Sequence, residues 1–179
     1  MASSSWHRNP EMIVALSALV VSIFTVAIGA YSAWIDRSYA RAAVWPRLEA
    51  GRGFDGAQFT YVVANRGTGP ALIRHVQVAL DGEPVADWSG LFDRLGTPQR
   101  SYLQSQVSGR TLSPNQTVEA LRIDDPRLLT AMVEASAAGR FDVRLCYCSI
   151  YEQCWVTDGG LQAQEVASCT VPEHQRFIQ

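Results

Sequence analysis

Four cysteines are the residues best placed to do chemistry: Cys146, Cys148, Cys154 and Cys169 fall within a stretch of 24 residues. Cys146 and Cys148 are two apart in a segment with strand character, so their side chains share a face. Cys148 and Cys154 flank an expected turn and can meet across a hairpin, which leaves Cys146 to meet Cys169. Four cysteines allow three connectivities, and the spacing does not choose among them. Three chemistries stay open: disulfides, favoured by the even count and by an oxidising compartment, free structural thiols, or a metal held by all four. Zinc ligands usually come as two C-x₂₋₄-C pairs. Here one residue, then five, then fourteen separate the cysteines, which is a poor match.

Other chemistry-bearing patterns are weaker. Gly51-Arg-Gly53-Phe-Asp-Gly56 has the G-x-G-x-x-G spacing of a dinucleotide loop, but the following residues alternate as a strand. A pyrophosphate site needs a helix opening there, so the segment reads as a flexible turn. Gly67-Thr-Gly69-Pro70 lacks a phosphate-loop Lys and reads as a strand-to-strand turn with a glycine at positive φ. His7 and His174 lie towards the ends of the chain. His75 falls in an expected strand, pointing outwards or bonded locally. There is no G-x-S-x-G elbow. Asp125 of the Asp124-Asp125 pair is better placed as a helix cap than as half of a catalytic carboxylate pair. All 15 basic residues are Arg, which excludes Schiff-base and phosphate-loop Lys chemistry. A net charge of −2 argues against nucleic acid as a partner. Asn115-Gln-Thr117 is a glycosylation sequon only in a eukaryotic secretory pathway, and the all-Arg, Ala-rich composition points to a GC-rich bacterial genome. The sequence therefore predicts a protein that is not an enzyme and carries no cofactor.

The elements that must position the cysteines are mostly strands. Residues 57–65 place Phe59, Tyr61 and Val63 on one face. Asn65 to Pro70 is a turn cluster, and in residues 71–80 Val76, Val78 and Leu80 share a face. Asp81-Gly82 is a tight-turn dipeptide, and residues 85–88 begin a return strand. Leu91, Phe92 and Leu95 suit a short helical turn. Residues 117–123 form a strand, Asp125-Pro126 opens a helix through Leu128, Leu129, Met132 and Val133, and Gly139 closes it. Residues 141–150 and 155–157 form the hairpin around the cysteines. The expected fold is mainly β: an antiparallel β-sandwich-like domain over residues 51–171, with one or two short helices and a tail over 172–179.

Before that domain, Met12 to Ile35 is a run of 24 residues without a charge. As a helix it spans about 36 Å, enough to cross a hydrocarbon core of about 30 Å. Trp6 precedes the run, while Tyr31, Trp34 and Tyr39 mark its far end, where aromatics prefer the headgroup zone. The run exceeds the apolar core of a signal peptide, and no small-x-small cleavage pattern follows it. The sequence thus predicts a tail (1–11), one retained transmembrane helix (12–35) and a juxtamembrane segment (36–50). Ala15, Ala18, Ser22, Thr25, Gly29 and Ala33 form a stripe of small residues along which a second helix could approach. Arg8 stands before the span, and Arg37, Arg41 and Arg47 stand after it. That bias leans towards a cytoplasmic domain, whereas the cysteines lean towards the periplasm.

Several segments together resemble a known group. These are Val44-Trp45-Pro46-Arg47-Leu48, the run Asn65-Arg-Gly67-Thr-Gly69-Pro70-Ala71 into Ile73-Arg-His-Val76-Gln-Val78, and Cys146-Tyr-Cys148 through Cys154-Trp155. In this order after a membrane span, the chain resembles uncharacterised bacterial single-pass membrane-anchored proteins with a C-terminal β-sandwich-like domain. The resemblance implies the architecture and adds no catalytic residue; the expected location is a bacterial inner membrane. The functional expectation is a membrane-anchored, non-enzymatic interaction module that binds a protein partner near the bilayer, with Trp88, Tyr102 and Trp155 as candidate anchors, although core packing is the more usual role for each. Self-association through the membrane helix is a further expected contact. The alternatives are a metal-binding or redox sensor built on the cysteine cluster and a small-ligand receptor domain.

Overall fold

The computed structural model describes residues 10–98, 101–160, 162–172 and 175–178. Trp6, His7, Arg8 and His174 lie outside the described residues, as does most of the expected N-terminal tail. The chain divides into two compact units, Met1–Ala42 and Ala43–Gln179, each described by itself.

The described residues of the first unit belong to one helix, α1 (Pro10–Ala43), with Pro10 in its first turn and Glu11 beside it. It is long and apolar enough to cross a membrane. The helix outlasts the uncharged run by eight residues, since Asp36 to Ala43 contains no helix breaker and Pro46 is the first one met. Residues 36–43, expected as a juxtamembrane segment, therefore belong to this helix. Residues 44–50 belong to the domain after it.

That domain contains β1 (Leu48–Phe54), β2 (Phe59–Asn65), β3 (Ala71–Leu80), β4 (Glu83–Val85), α2 (Trp88–Arg94), β5 (Tyr102–Gln104), β6 (Thr111–Leu112), β7 (Thr117–Ile123), α3 (Pro126–Ala137), β8 (Phe141–Cys148), β9 (Cys154–Thr157) and β10 (Gln164–Val166). The strands form two antiparallel sheets: a four-stranded one ordered β1-β2-β7-β5, and a six-stranded one ordered β10-β9-β8-β3-β4 with β6 beside β3. This is a β-sandwich-like domain. One core lies between the sheets, built from Phe59, Tyr61, Val63, Leu121 and Ile123 on one side and Ile73, Val76, Val78, Leu80, Val143 and Leu145 on the other. Tyr61 and Phe141 meet edge to face across it, with ring centroids 6.1 Å apart. The burial of Phe59, Tyr61 and Val63 follows the period-two alternation of their strand.

A bulge in β3 decides which side chains reach each face of the six-stranded sheet. The pairing with β8 runs Ile73↔Tyr147 and then His75↔Cys146, so Arg74 is an extra residue. The extra residue shifts the phase of the strand. Ile73 and Val76 both face the core, and His75 turns to the outer face of the six-stranded sheet.

Local chemistry closes the remaining elements. The β3–β4 turn holds Asp81 at φ 56° and Gly82 at φ 81°, the two left-handed residues of a tight hairpin. Asp125 caps α3 by accepting from the backbone amides of Arg127 and Leu128. Asp87 caps α2 by accepting from the Gly90 amide at 2.7 Å. This last cap corrects the reading of residues 85–88 as a strand: the strand stops at Val85, and Trp88 opens a helix. The Gly51 segment also differs from a flexible turn, because Gly51 and Gly53 lie inside β1 and only Gly56, at φ 90°, serves the turn. Finally, the end of the chain is part of the fold. Phe177 is buried against Trp88 with ring centroids 4.7 Å apart. The amides of Phe177 and Ile178 donate to Val76 and Ala86 oxygens. A single aromatic in a polar stretch carries no periodicity, so residues 172–179 read as a tail in sequence.

Candidate functional site

A cleft of about 570 Å³ has a lining that includes Trp45, Arg47, Arg66, Thr68, Tyr147, Trp155, Gln162 and Ala163. It is assembled from the segment leading into β1, the β2–β3 loop, β8, β9 and the loop after β9.

Asn65, the last residue of β2, holds the cleft together. Its side chain is fully buried (0% exposed). Nδ2 donates to the Gly69 oxygen at 2.8 Å and to the Leu112 oxygen at 3.0 Å. Oδ1 accepts from the Gly67 amide at 3.0 Å and the Arg47 amide at 3.2 Å. All four bonds open to a primary amide are thereby made. The loop also reaches the incoming segment through its own main chain, with the Arg66 amide donating to the Arg47 oxygen and the Thr68 and Gly69 amides donating to the Trp45 oxygen.

These contacts correct the reading of Gly67-Thr-Gly69. Neither glycine has positive φ. Both are needed because main chains touch there: a β-carbon at Gly67 would collide with the Trp45–Arg47 backbone, and one at Gly69 with Val44.

The cleft combines flat apolar surface with positive charge. Trp45 is 56% exposed, and its ring stacks on Trp155 at a centroid distance of 5.8 Å. Trp155 in turn lies 5.8 Å from the ring of the buried Tyr147. Burial raises the Tyr147 hydroxyl pKa, partly opposed by the Leu48 backbone and the Arg47 charge, so the phenol stays neutral. Arg47 and Arg66 both approach Glu49, at 3.7 and 3.9 Å. One carboxylate shared by two exposed guanidiniums leaves a positive rim.

The cysteines form a second cluster on the outer face of the six-stranded sheet. Cys148 stands opposite Cys154 across the β8–β9 hairpin, and the two are at disulfide distance, with Cα atoms 4.0 Å apart. Cys146 pairs likewise with Cys169, with Cα atoms 5.6 Å apart. No cysteine is free, so this arrangement offers no thiolate to a metal. His75 joins the cluster. It is only 8% exposed, and its Nδ1 has no hydrogen-bond partner among the described residues. The bulge at Arg74 does turn the side chain outwards, as expected, but on that outer face it is buried beside Cys146 and Cys169. Burial lowers the His75 pKa below its ordinary 6.5, and the Arg176 charge lowers it further.

The three candidate anchors separate. Trp88 is 2% exposed and stacks on Phe92, so it is a core residue and no anchor. Tyr102 is half-buried against Phe92 at 4.9 Å. Trp155 alone of the three lines the cleft. The six small residues of the membrane stripe all lie on α1. The hydroxyls of Ser22 and Thr25 donate to the Ala18 and Val21 oxygens of the same helix, at 2.7 and 2.8 Å.

Trp45, Arg47, Asn65 and Arg66 belong to no chemical motif, so the sequence did not mark them as site residues. The available signal was the pairing of two unusual segments, Val44 to Leu48 and Asn65 to Pro70, which the fold joins main chain to main chain.

Fold and site together define a class: a long apolar helix joined to an antiparallel β-sandwich-like domain, with an aromatic and arginine cleft at the start of the domain. No protein-family model and no curated protein matches the chain.

Proposed function

We propose that this protein is a bacterial, single-pass, inner-membrane-anchored interaction module, without enzymatic activity, whose cleft takes a segment of a partner protein near the bilayer. The observation that carries the reading is the joining of the exposed Trp45 ring, stacked on the buried Trp155, to two guanidiniums that share one carboxylate. Tryptophan and arginine are the side chains that most often dominate protein interfaces. The partner segment should carry an apolar or aromatic side chain for the ring surface and a carboxylate for the rim. The apolar helix, whose last residue is only two positions before Trp45, supports action close to a membrane.

The paired cysteines favour the periplasmic side for the domain, since structural disulfides persist in oxidising compartments. Against this stand Arg37, Arg41 and Arg47. Three basic residues make a weak topological signal, and the disulfides outweigh it. A second reading, a receptor for a small ligand, draws support from the cleft volume, which lies within the common range for such sites.

The test uses the full chain in its native membrane with a photoreactive amino acid at Thr68, and a control at Ala138, exposed beyond the end of α3. The expected result is a discrete protein adduct from position 68, lost when Arg47 and Arg66 are both changed to Glu, and no such adduct from position 138. Absence of an adduct at 68, or equal adducts at both positions, would overturn the proposal. A membrane-impermeant thiol label applied after reduction, to intact and to opened cells, reads the side of the domain.

A further inference from the structure

The two disulfides touch each other. Cys148 Sγ lies 3.7 Å from Cys169 Sγ, about the contact distance of two sulfur atoms. The four sulfurs thus form one continuous row: Cys154, Cys148, Cys169, Cys146. The row is built by the sheet. Cys146 and Cys148 share the outer face of β8, Cys154 faces Cys148 from β9, and Cys169 descends from the segment after β10. At one end sits the His75 imidazole, with its ring nitrogen and the Cys146 and Cys169 sulfurs all within 4.8 Å of one another. Cys169 is part-exposed, whereas Cys146, Cys148 and Cys154 are buried.

We propose that this row is a thiol–disulfide exchange site that one equivalent of a dithiol reduces without turnover, such that two-electron reduction leaves Cys148 joined to Cys169 and leaves Cys146 and Cys154 as thiols. Exchange proceeds by attack of a thiolate on a disulfide sulfur, so access and contact decide the path. A thiolate of the dithiol attacks the accessible Cys169 Sγ, and the Cys146–Cys169 bond breaks with Cys146 leaving as thiolate. The second thiol of the dithiol then attacks its own bound sulfur, which closes the oxidised dithiol and releases Cys169 as thiolate. Cys169 attacks Cys148 Sγ, already in contact, and the Cys148–Cys154 bond breaks with Cys154 leaving. The dithiol loses two electrons and two protons, and the protons end on Cys146 and Cys154. The His75 imidazole, one ring nitrogen of which lies within 4.8 Å of the Cys146 and Cys169 sulfurs, is in place to pass a proton to the leaving Cys146 sulfur. The exchange has a structural consequence. The C-terminal segment, which carries the core residue Phe177, stays tied to the sheet after one of the two disulfides has been spent. This site is separate from the cleft, and its failure would leave the binding proposal standing.

The test treats the full-length protein, in detergent micelles, with one molar equivalent of dithiothreitol. The reaction is quenched in acid, free thiols are alkylated, and the product is digested with chymotrypsin, which cuts after Tyr147 and separates Cys146 from Cys148. The expected two-electron product carries label on Cys146 and Cys154 with a Cys148–Cys169 linked peptide. Label confined to Cys146 with Cys169, or to Cys148 with Cys154, would overturn the proposal. Cys154→Ser gives an independent reading without reductant. Its one unpaired sulfur should distribute between Cys148 and Cys146, and label on Cys148 alone sinks the exchange. His75→Gln should slow the approach to the final distribution by about tenfold or more while leaving the end point unchanged. An unchanged rate removes His75 from the proposal.

Discussion

Removing the Asn65 side chain tests the account of the cleft most directly. Asn65→Ala deletes four hydrogen bonds and leaves four main-chain groups behind. Two of them, the Arg47 and Gly67 amides, are in part-buried surroundings and can turn to water at little cost. The other two, the Gly69 and Leu112 oxygens, belong to buried residues. A buried polar group left without a partner costs about 1–3 kcal/mol. Two such groups give an expected loss of roughly 2–6 kcal/mol, a large part of the ~5–15 kcal/mol that holds an ordinary domain folded. With a urea slope of about 2 kcal/mol per molar, the unfolding midpoint should fall by about 1–3 M. The assay is urea unfolding of the full chain in micelles, followed by tryptophan fluorescence. Asn65→Asp is the informative companion. It keeps both acceptor bonds, loses both donor bonds and buries a charge, so it should cost at least as much. Because Asn65 fixes the segment that carries Trp45, both variants should also weaken the near-ultraviolet dichroism of the Trp45–Trp155 pair. An Asn65→Ala protein within about 0.5 kcal/mol of the parent, the range of an ordinary surface change, would refute the hub role.

Other outcomes rest on the same geometry. Gly69→Ala pushes a β-carbon into the Val44 main chain, and should cost about 1–3 kcal/mol in the same urea assay; Gly29→Ala, open on all sides, should cost almost nothing. Removing the Cys146–Cys169 pair should destabilise more than removing Cys148–Cys154, because the sequence separations are 23 and 6; the chain-entropy difference is about 1 kcal/mol, read from thermal unfolding of the two double-serine variants. Arg140 grips Asp81 through two bonds of 2.7 Å and holds its carboxyl below the ordinary value. That contribution is present above the unfolded carboxylate pKa of about 4 and is lost as pH falls through the lowered one, so Arg140→Ala should flatten the acid limb of a stability–pH curve. For His75 the folded pKa lies below 6.5. As pH drops past that value the unfolded state takes the proton first, so stability should decline below about pH 6.5 and His75→Gln should remove that slope.

The fold was legible wherever one residue and its near neighbours decide the outcome. The alternation of Phe59, Tyr61 and Val63, the Asp81-Gly82 turn and the Asp125-Pro126 helix start are all local. The short strands Tyr102–Gln104, Thr111–Leu112 and Gln164–Val166 were not legible. At two or three residues they carry no periodicity of their own and exist because a neighbour offers hydrogen bonds. Trp88, expected as a core residue and also a candidate anchor, was open for a similar reason. An aromatic looks the same in sequence whether it meets a partner or a core, and only Phe92 and Phe177 packed on its two sides decide the matter.

What the sequence determined by itself was set by continuous runs and fixed spacing. An uncharged stretch of this length is an apolar helix, and cysteines two apart in a strand share a face. What the tertiary structure decided depended on segments far apart in the chain. It made Asn65 a hub by bringing Arg47 and Leu112 to it from either side in sequence. It required Gly67 and Gly69 for close approach, where the sequence suggested a turn angle. It also turned His75 to the cysteines through one extra residue in β3. The physical reason is common to all three. A hydrogen bond, a backbone collision and a strand register each need two partners, and a sequence displays them one at a time.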